Sequence, residues 1–299
     1  MLPQTERYLS LVQLGRNQWW RYVLGVALIL FFWLVLGLVP YVAIAAIYPL
    51  DPLLTYLAIN FSIILMLAGL VLVMRLLHRR PLLSLVTAER APDWKRVAQG
   101  AAAWGALALI IAVIEHLLYP DRYYLSFDPE RFFPFAALVL VLTPVQTTTE
   151  ELVFRGYAMQ GLGLVIRPPV LIAVLSAAIF TVPHLMNPEV QQHGALLMAG
   201  SYFAIGLLLA AVTLRDGRLE LAIGIHAVNN LLLALITNYE GSVLTTESVF
   251  TARELDPEYS LVSLVAASLL FYGWFFRRRH PPAKRGADDV PDAVDSRAR

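Results

Sequence analysis

Three short stretches of the chain carry side chains that could do chemistry in surroundings that are otherwise apolar. Glu150, Glu151 and Arg155 interrupt QTTTEELVFRGYAMQGL, Phe180 and His184 sit in SAAIFTVPHLMN, and His226 and Asn230 sit in LAIGIHAVNNLLLAL. A charged side chain at the centre of a bilayer costs about 2.5 to 3.5 kcal/mol on insertion scales, so those retained within apolar segments are functional candidates by default. On a helix, Glu151 and Arg155 are four residues apart and face each other as an ion pair, which turns Glu150 about 100° away. One carboxylate is then neutralised while the other stays reactive. Phe180 and His184 share a face by the same spacing, with Pro183 loosening the helix just before the histidine, and so do His226 and Asn230. Two histidines, a carboxylate and an amide are the groups that water activation and stabilisation of an oxyanion require. The same residue types also suit a proton relay or gate in a transporter, so spacing alone leaves both open.

The elements that must position these residues are membrane helices. The 299-residue chain is 58% hydrophobic and 15% charged, and its mean hydropathy is +0.64, a membrane composition. Apolar runs of about 18 residues or more occur at 20–47, 53–74, 97–118, 133–165, 169–187, 194–214, 219–238 and 258–276. An all-α, polytopic helix bundle of about eight transmembrane helices is expected. The first run exceeds a signal-peptide core and is taken as a retained span. With both termini on the cytoplasmic side, Arg122, Arg131 and Arg253 are the only exceptions among 23 Lys and Arg, counting Arg155 as a loop residue. That bias favours N-in and C-in. Trp19, Trp20, Trp94, Tyr119, Tyr123, Tyr124 and Trp274 fall where spans meet loops, as interfacial anchors do. Residues 1–277 are therefore assigned to the membrane domain, and the Pro-, Gly- and charge-rich 278–299 to a disordered cytoplasmic tail. A net charge of +1 gives no sign of a nucleic-acid partner, and the absence of Cys excludes thiolate catalysis, disulfides and Cys-ligated metal.

In order and spacing, Glu150-Glu151-xxx-Arg155-Gly156, Phe180-xxx-His184 and His226-xxx-Asn230 resemble the three motifs of the CAAX-protease (CPBP, or Abi) family of intramembrane endopeptidases, which includes the Ras-converting CAAX endopeptidase. The resemblance spans roughly residues 133–240, the catalytic core it implies. Carried over position by position, it makes Glu150 the general base for a water that His184 also holds. His226 and Asn230 become the oxyanion donors, and Glu151, Arg155 and Phe180 the supporting residues. The implied partners are membrane lipid and a protein or peptide substrate, with no nucleic acid, in what is expected to be a prokaryotic cell membrane. No cofactor is expected. The alternative is a metalloprotease in which Glu150, His184 and His226 ligate zinc, although no HExxH motif is present. A second alternative, of a different class, is a non-catalytic membrane partner or bacteriocin-immunity protein on the same fold.

The remaining polar residues invite plainer readings. Glu115-His116 are expected at an interface, and His78 and His193 in solvated loops. Ser201 lacks a nucleophile-elbow context, and Glu220 suits the positive end of a helix dipole. Depth imposes one further expectation. At 1.5 Å per residue the 133–165 run spans about 50 Å, too long for one straight crossing, so a bend at Pro144 is expected, with Glu150 inside the membrane.

Overall fold

The computed structural model describes residues 1–47, 51–242 and 246–277; the tail expected at 278–299 lies outside the described residues. A short amphipathic helix, α1 (Pro3–Ser10), precedes five apolar helices: α2 (Trp19–Ile44), α3 (Pro52–His78), α4 (Trp94–Leu118), α5 (Pro129–Leu162) and α6 (Pro169–His184). After a single short helix, α7 (Pro188–His193), come α8 (Ala195–Asp216), α9 (Glu220–Leu235) and α10 (Pro257–Arg277). Six of these are long and apolar enough to cross a membrane, whereas α6 and α9 have 16 residues each. All eight expected runs are helical, and the two shorter ones are those that carry the histidines.

Helix starts are set by side chains that serve otherwise unpaired backbone N–H groups. Asp51 accepts from Leu54 N at 2.8 Å, Asp93 from Lys95 N and Arg96 N, and Asp128 from Glu130 N at 3.0 Å. Pro52 and Pro129 follow the first and last of these caps, at a position where a missing N–H costs nothing. At the other end of α8, Gly217 adopts φ +71°, the left-handed conformation that ends a helix and that a side chain disfavours.

Burial separates the helices into two classes. In α3, α5 and α8, 44%, 39% and 33% of the most apolar window is buried, against 17% in α2 and α4 and 11% in α10. The first three therefore lie inside, and the other three turn most of their apolar side chains outward. The largest core gathers Met66, Leu70, Leu152, Leu209, Leu221 and Ile225 from α3, α5, α8 and α9.

Connections sort onto two faces. On one, strands β1 (Tyr123–Leu125), β2 (Thr237–Tyr239) and β3 (Phe250–Ala252) form a small sheet in the order β1-β3-β2, with β1 antiparallel and β2 parallel to β3. Arg122 there pairs with Glu115 and Asp256, which answers the interfacial expectation for Glu115. On the other face, α1 packs beside the ends of α5 and α8, and the 80–93 connection lies against the start of α9.

Three expectations are corrected. The long helix α5 runs without interruption through Pro144, and its irregularity falls instead at Leu152–Ala158, a π-helical turn directly after the two glutamates. Such a turn frees a carbonyl, and Tyr8 Oη donates to Arg155 O at 3.1 Å and to Leu85 O at 2.7 Å. His78 is not solvated. It is buried, with Nδ1 on Arg16 O at 2.8 Å and Nε2 facing Tyr157 Oη at 3.0 Å. Glu220 is likewise fully buried and accepts from Asp93 N, so it ties the 80–93 connection to α9 as well as meeting a helix dipole.

Replacing Tyr8 with Phe removes the single hydroxyl hydrogen that the Leu85 and Arg155 carbonyls share. A loss of about 1 to 3 kcal/mol is expected, read as a lowered melting point of the purified protein in detergent. An unchanged melting point would show that the hydroxyl does not hold the π turn.

Candidate active site

The site is built on the last turns of α5 before its π segment. Glu150 is 7% exposed, and Glu151 and Arg155 are fully buried. Arg155 Nη1 donates to Glu151 Oε1 at 2.8 Å, its Nη2 donates to Gly206 O on α8 at 3.2 Å, and the guanidinium lies 4.2 Å from the Phe180 ring centroid. The arginine assigned to a loop in the charge count is thus an interior residue. Helix α9 brings His226 to the same point, with Nδ1 2.8 Å from Glu151 Oε1 and Nε2 3.8 Å from Glu150 Oε2. A ring nitrogen that faces a carboxylate carries the hydrogen, so Glu151 fixes the orientation of His226 and turns Nε2 toward Glu150.

Helix α6 supplies the other histidine at its C-terminal end. His184 Nδ1 donates to Phe180 O at 2.7 Å, which leaves Nε2 as the free nitrogen of the ring, an acceptor when the imidazole is neutral. The Phe180 ring stands 4.4 Å from His184 and 6.0 Å from His226, so one aromatic ring contacts both imidazoles. Glu150, Glu151, Arg155, Phe180, His184 and His226 therefore form one connected cluster drawn from three helices. Asn230 lies one turn beyond His226, half-buried, with its Oδ1 accepting from Asn229 Nδ2 at 3.2 Å. Asn229 Oδ1 in turn accepts from Trp104 Nε1 at 3.1 Å, which anchors that pair to α4.

Two neighbours were missed. Gln146 Nε2 donates to Glu150 Oε1 at 3.3 Å from one turn earlier on α5, a spacing that the motif analysis could have used. The Tyr202 ring packs 4.6 Å from His184 on the side where Asn187 Nδ2 reaches the Tyr202 hydroxyl at 2.9 Å. Its place on α8 carries no local signal. Ser201 bonds back to Leu197 O on its own helix. Among the described residues, no group of three or more His, Asp or Glu side chains is arranged to hold a metal ion, the set Glu150, His184 and His226 included.

Residues 130–232 match the family described as type II CAAX prenyl endopeptidase Rce1-like, a stretch that contains all three motifs. Over these residues the chain is similar to the Rce1-like family, whose motifs the sequence resembles, and its six long apolar helices are those of a multi-pass membrane protein. A Bacillus subtilis (strain 168) protein, described as uncharacterized protein YyaK, is 28% identical over 233 residues, 76% of this chain and 78% of that protein. No solved structure matches.

Removing Arg155 strips Glu151 of a buried cationic partner. Arg155→Leu is expected to destabilise the protein by roughly 3 to 5 kcal/mol, measured by denaturation in mixed detergent micelles. Arg155→Lys should recover part of the loss, since one ammonium cannot serve both Glu151 and the α8 carbonyl. Equal stability of all three proteins would mean that the pair does not secure the bundle.

Proposed function

We propose that the protein is an intramembrane endopeptidase that hydrolyses a peptide bond of a membrane-associated protein or peptide with a glutamate-activated water. The observation that carries this reading is the cluster itself: a carboxylate, Glu150, that is not consumed by the Arg155 ion pair, beside two imidazoles whose Nδ1 atoms are already engaged.

Each residue then has a task that its contacts favour. Glu150 accepts a proton from water, and the lone pair of His184 Nε2 accepts the second hydrogen of the same water, which orients its oxygen toward the substrate carbonyl. Glu151 and Arg155 cancel one another's charge and hold His226. Two carboxylates and one guanidinium leave one negative charge in a buried cluster. His226 Nε2, turned toward Glu150, donates to the oxyanion together with the Asn230 amide. When the intermediate collapses, Glu150 returns its proton to the leaving amine.

The family supports a CAAX-type peptidase and hence a peptide substrate; prenylation of that substrate is not assumed. The Bacillus relative supports a prokaryotic membrane. Zinc remains the alternative reading. Its ligands would be Glu150, His184 and His226, and it would supply a Lewis acid and an activated water, although the described side chains are not arranged as a metal-holding group.

Glu150→Gln keeps size and shape but removes the proton-accepting group. It is expected to lower turnover of a cleaved reporter peptide by at least about a hundredfold while expression and melting point stay unchanged. Wild-type cleavage by this variant would sink the assignment of the base. The metal alternative is tested separately by elemental analysis of the purified protein and by exhaustive chelation. Survival of activity without stoichiometric zinc is expected, and a one-to-one zinc content that activity depends on would overturn the glutamate mechanism.

A further inference from the structure

One flank of α3 carries a groove of about 570 Å³, within the size range of ligand sites. It follows a single stripe of the helix, from Ile64 through Ala68 and Leu72 to Leu76, residues about one turn apart. Ile64 and Leu72 are each 37% exposed and Leu76 is 62% exposed, so the stripe faces lipid rather than the bundle. Ala68 makes the depression, because its methyl group stands between two larger side chains. Among the described residues, Arg75 is the one charged member of the lining, and it lies at the end of the groove nearest the α1-bearing face.

Length and charge together say what fits. Ile64 to Leu76 spans about 18 Å at 1.5 Å per residue, close to the roughly 15 Å of hydrocarbon in one leaflet. The charged end is also more basic than its surroundings require. Arg75 lies in the π-helical last turn of α3, Val73–His78, and Arg79 ends that turn at φ +52°, the one non-glycine residue with a positive φ among the described residues. Arg21 on α2 donates to Leu77 O in the same turn and stacks 4.4 Å from the Trp20 ring centroid. Among the described residues, none of these three arginines forms an ion pair with Asp or Glu, whereas Arg7, Arg96 and Arg218 on the same face all do.

We propose that this groove is a site for one anionic phospholipid of the leaflet on the α1-bearing side. Its acyl chain lies along α3 from Leu76 toward Ile64 and fills the depression at Ala68, and its phosphate meets Arg75, with the charges of Arg79 and Arg21 at the same level. An anionic headgroup compensates three arginines that have no protein counter-charge, which a zwitterionic one, carrying its own cation, does far less well. A partner helix in the groove would instead have to bring a carboxylate to Arg75 through hydrocarbon, at a cost that a lipid phosphate already at the interface does not incur. None of the groove residues belongs to the candidate active site, so the proposal stands apart from the peptidase reading.

The test titrates the full-length protein in detergent with phosphatidylglycerol, phosphatidylcholine or inorganic phosphate, counts bound lipid by native mass spectrometry and follows the melting point. Retention of a single phosphatidylglycerol with a raised melting point is expected, with phosphatidylcholine at least about tenfold weaker and free phosphate without effect, since it brings no chain to the groove. Arg75→Gln should weaken phosphatidylglycerol binding at least about tenfold. Ala68→Phe fills the depression with every charge intact, so the same loss is expected there, and it stands in should Arg75→Gln fail to fold. Arg90→Gln, which removes an exposed arginine of the 80–93 connection on the same face, should bind as the wild type does. Equal affinity for the two lipids, undiminished binding by Ala68→Phe, or an equal loss in Arg90→Gln overturns the proposal. So does a protein dimer that Ala68→Phe breaks, which would assign the groove to a second copy of the chain.

Discussion

A single carboxylate oxygen, Glu151 Oε1, holds the interior together. It accepts from Arg155 on its own helix and from His226 on α9, both at 2.8 Å and both out of contact with solvent. Neither cation nor carboxylate is tolerable alone in an apolar bundle, where an unpaired charge costs several kcal/mol. The pairing therefore dictates that α5 and α9 meet at this depth. Arg155 extends the constraint to α8 through Gly206 O and to α6 through the face of Phe180. Four helices are fixed by one charged group and its partners, and the apolar contacts around them fill the space that this arrangement leaves.

The helices that bring the histidines are short for a physical reason. Helix α6 ends at His184, and its last residues turn into Asn187 and α7, which puts the imidazole at a helix terminus rather than along a lipid-facing flank. His226 lies six residues from the start of α9, about 9 Å along the axis. The His226 ring meets Glu150 because the long helix α5 carries its glutamates far from its own start, near the π-helical turn. A wide turn at this point changes the facing of the residues after Glu151, and Tyr8 from α1 takes up a carbonyl there. The amphipathic N-terminal helix is thus part of the support of the site, although it contributes nothing to the chemistry.

Much of this was legible because it is local. Glu151 with Arg155, and Phe180 with His184, lie four residues apart, and helical periodicity alone predicts their contact. The eight apolar runs gave the helices to within a few residues. What was not legible depends on contacts between distant segments. His78 looked like one more polar residue among loop arginines, yet Arg16 and Tyr157, far away along the chain, enclose it. Tyr202 has no local partner to betray it. The bend expected at Pro144 followed from a rule about single residues, whereas the real irregularity at Leu152–Ala158 is accompanied by tertiary contacts from Tyr8. Prolines within a membrane helix are accommodated where neighbouring groups satisfy the freed backbone.

Gly206 shows how little slack the cluster has. A Cβ built there would come within 3.2 Å of Ala177 Cα and of Phe180 Cδ1, tighter than ordinary van der Waals contact. Only a residue without a side chain lets α8 approach α6 this closely, as small residues do at helix contacts in membranes. The same approach brings the Gly206 carbonyl within reach of Arg155 and the Phe180 ring beneath the guanidinium. Widening the α6–α8 contact by even one methyl group would therefore loosen the arginine from two of its three supports at once. It would also move His184, which is carried by the same turn of α6 as Phe180, away from Glu150. The geometry of the candidate base and the packing of α6 against α8 are one and the same constraint.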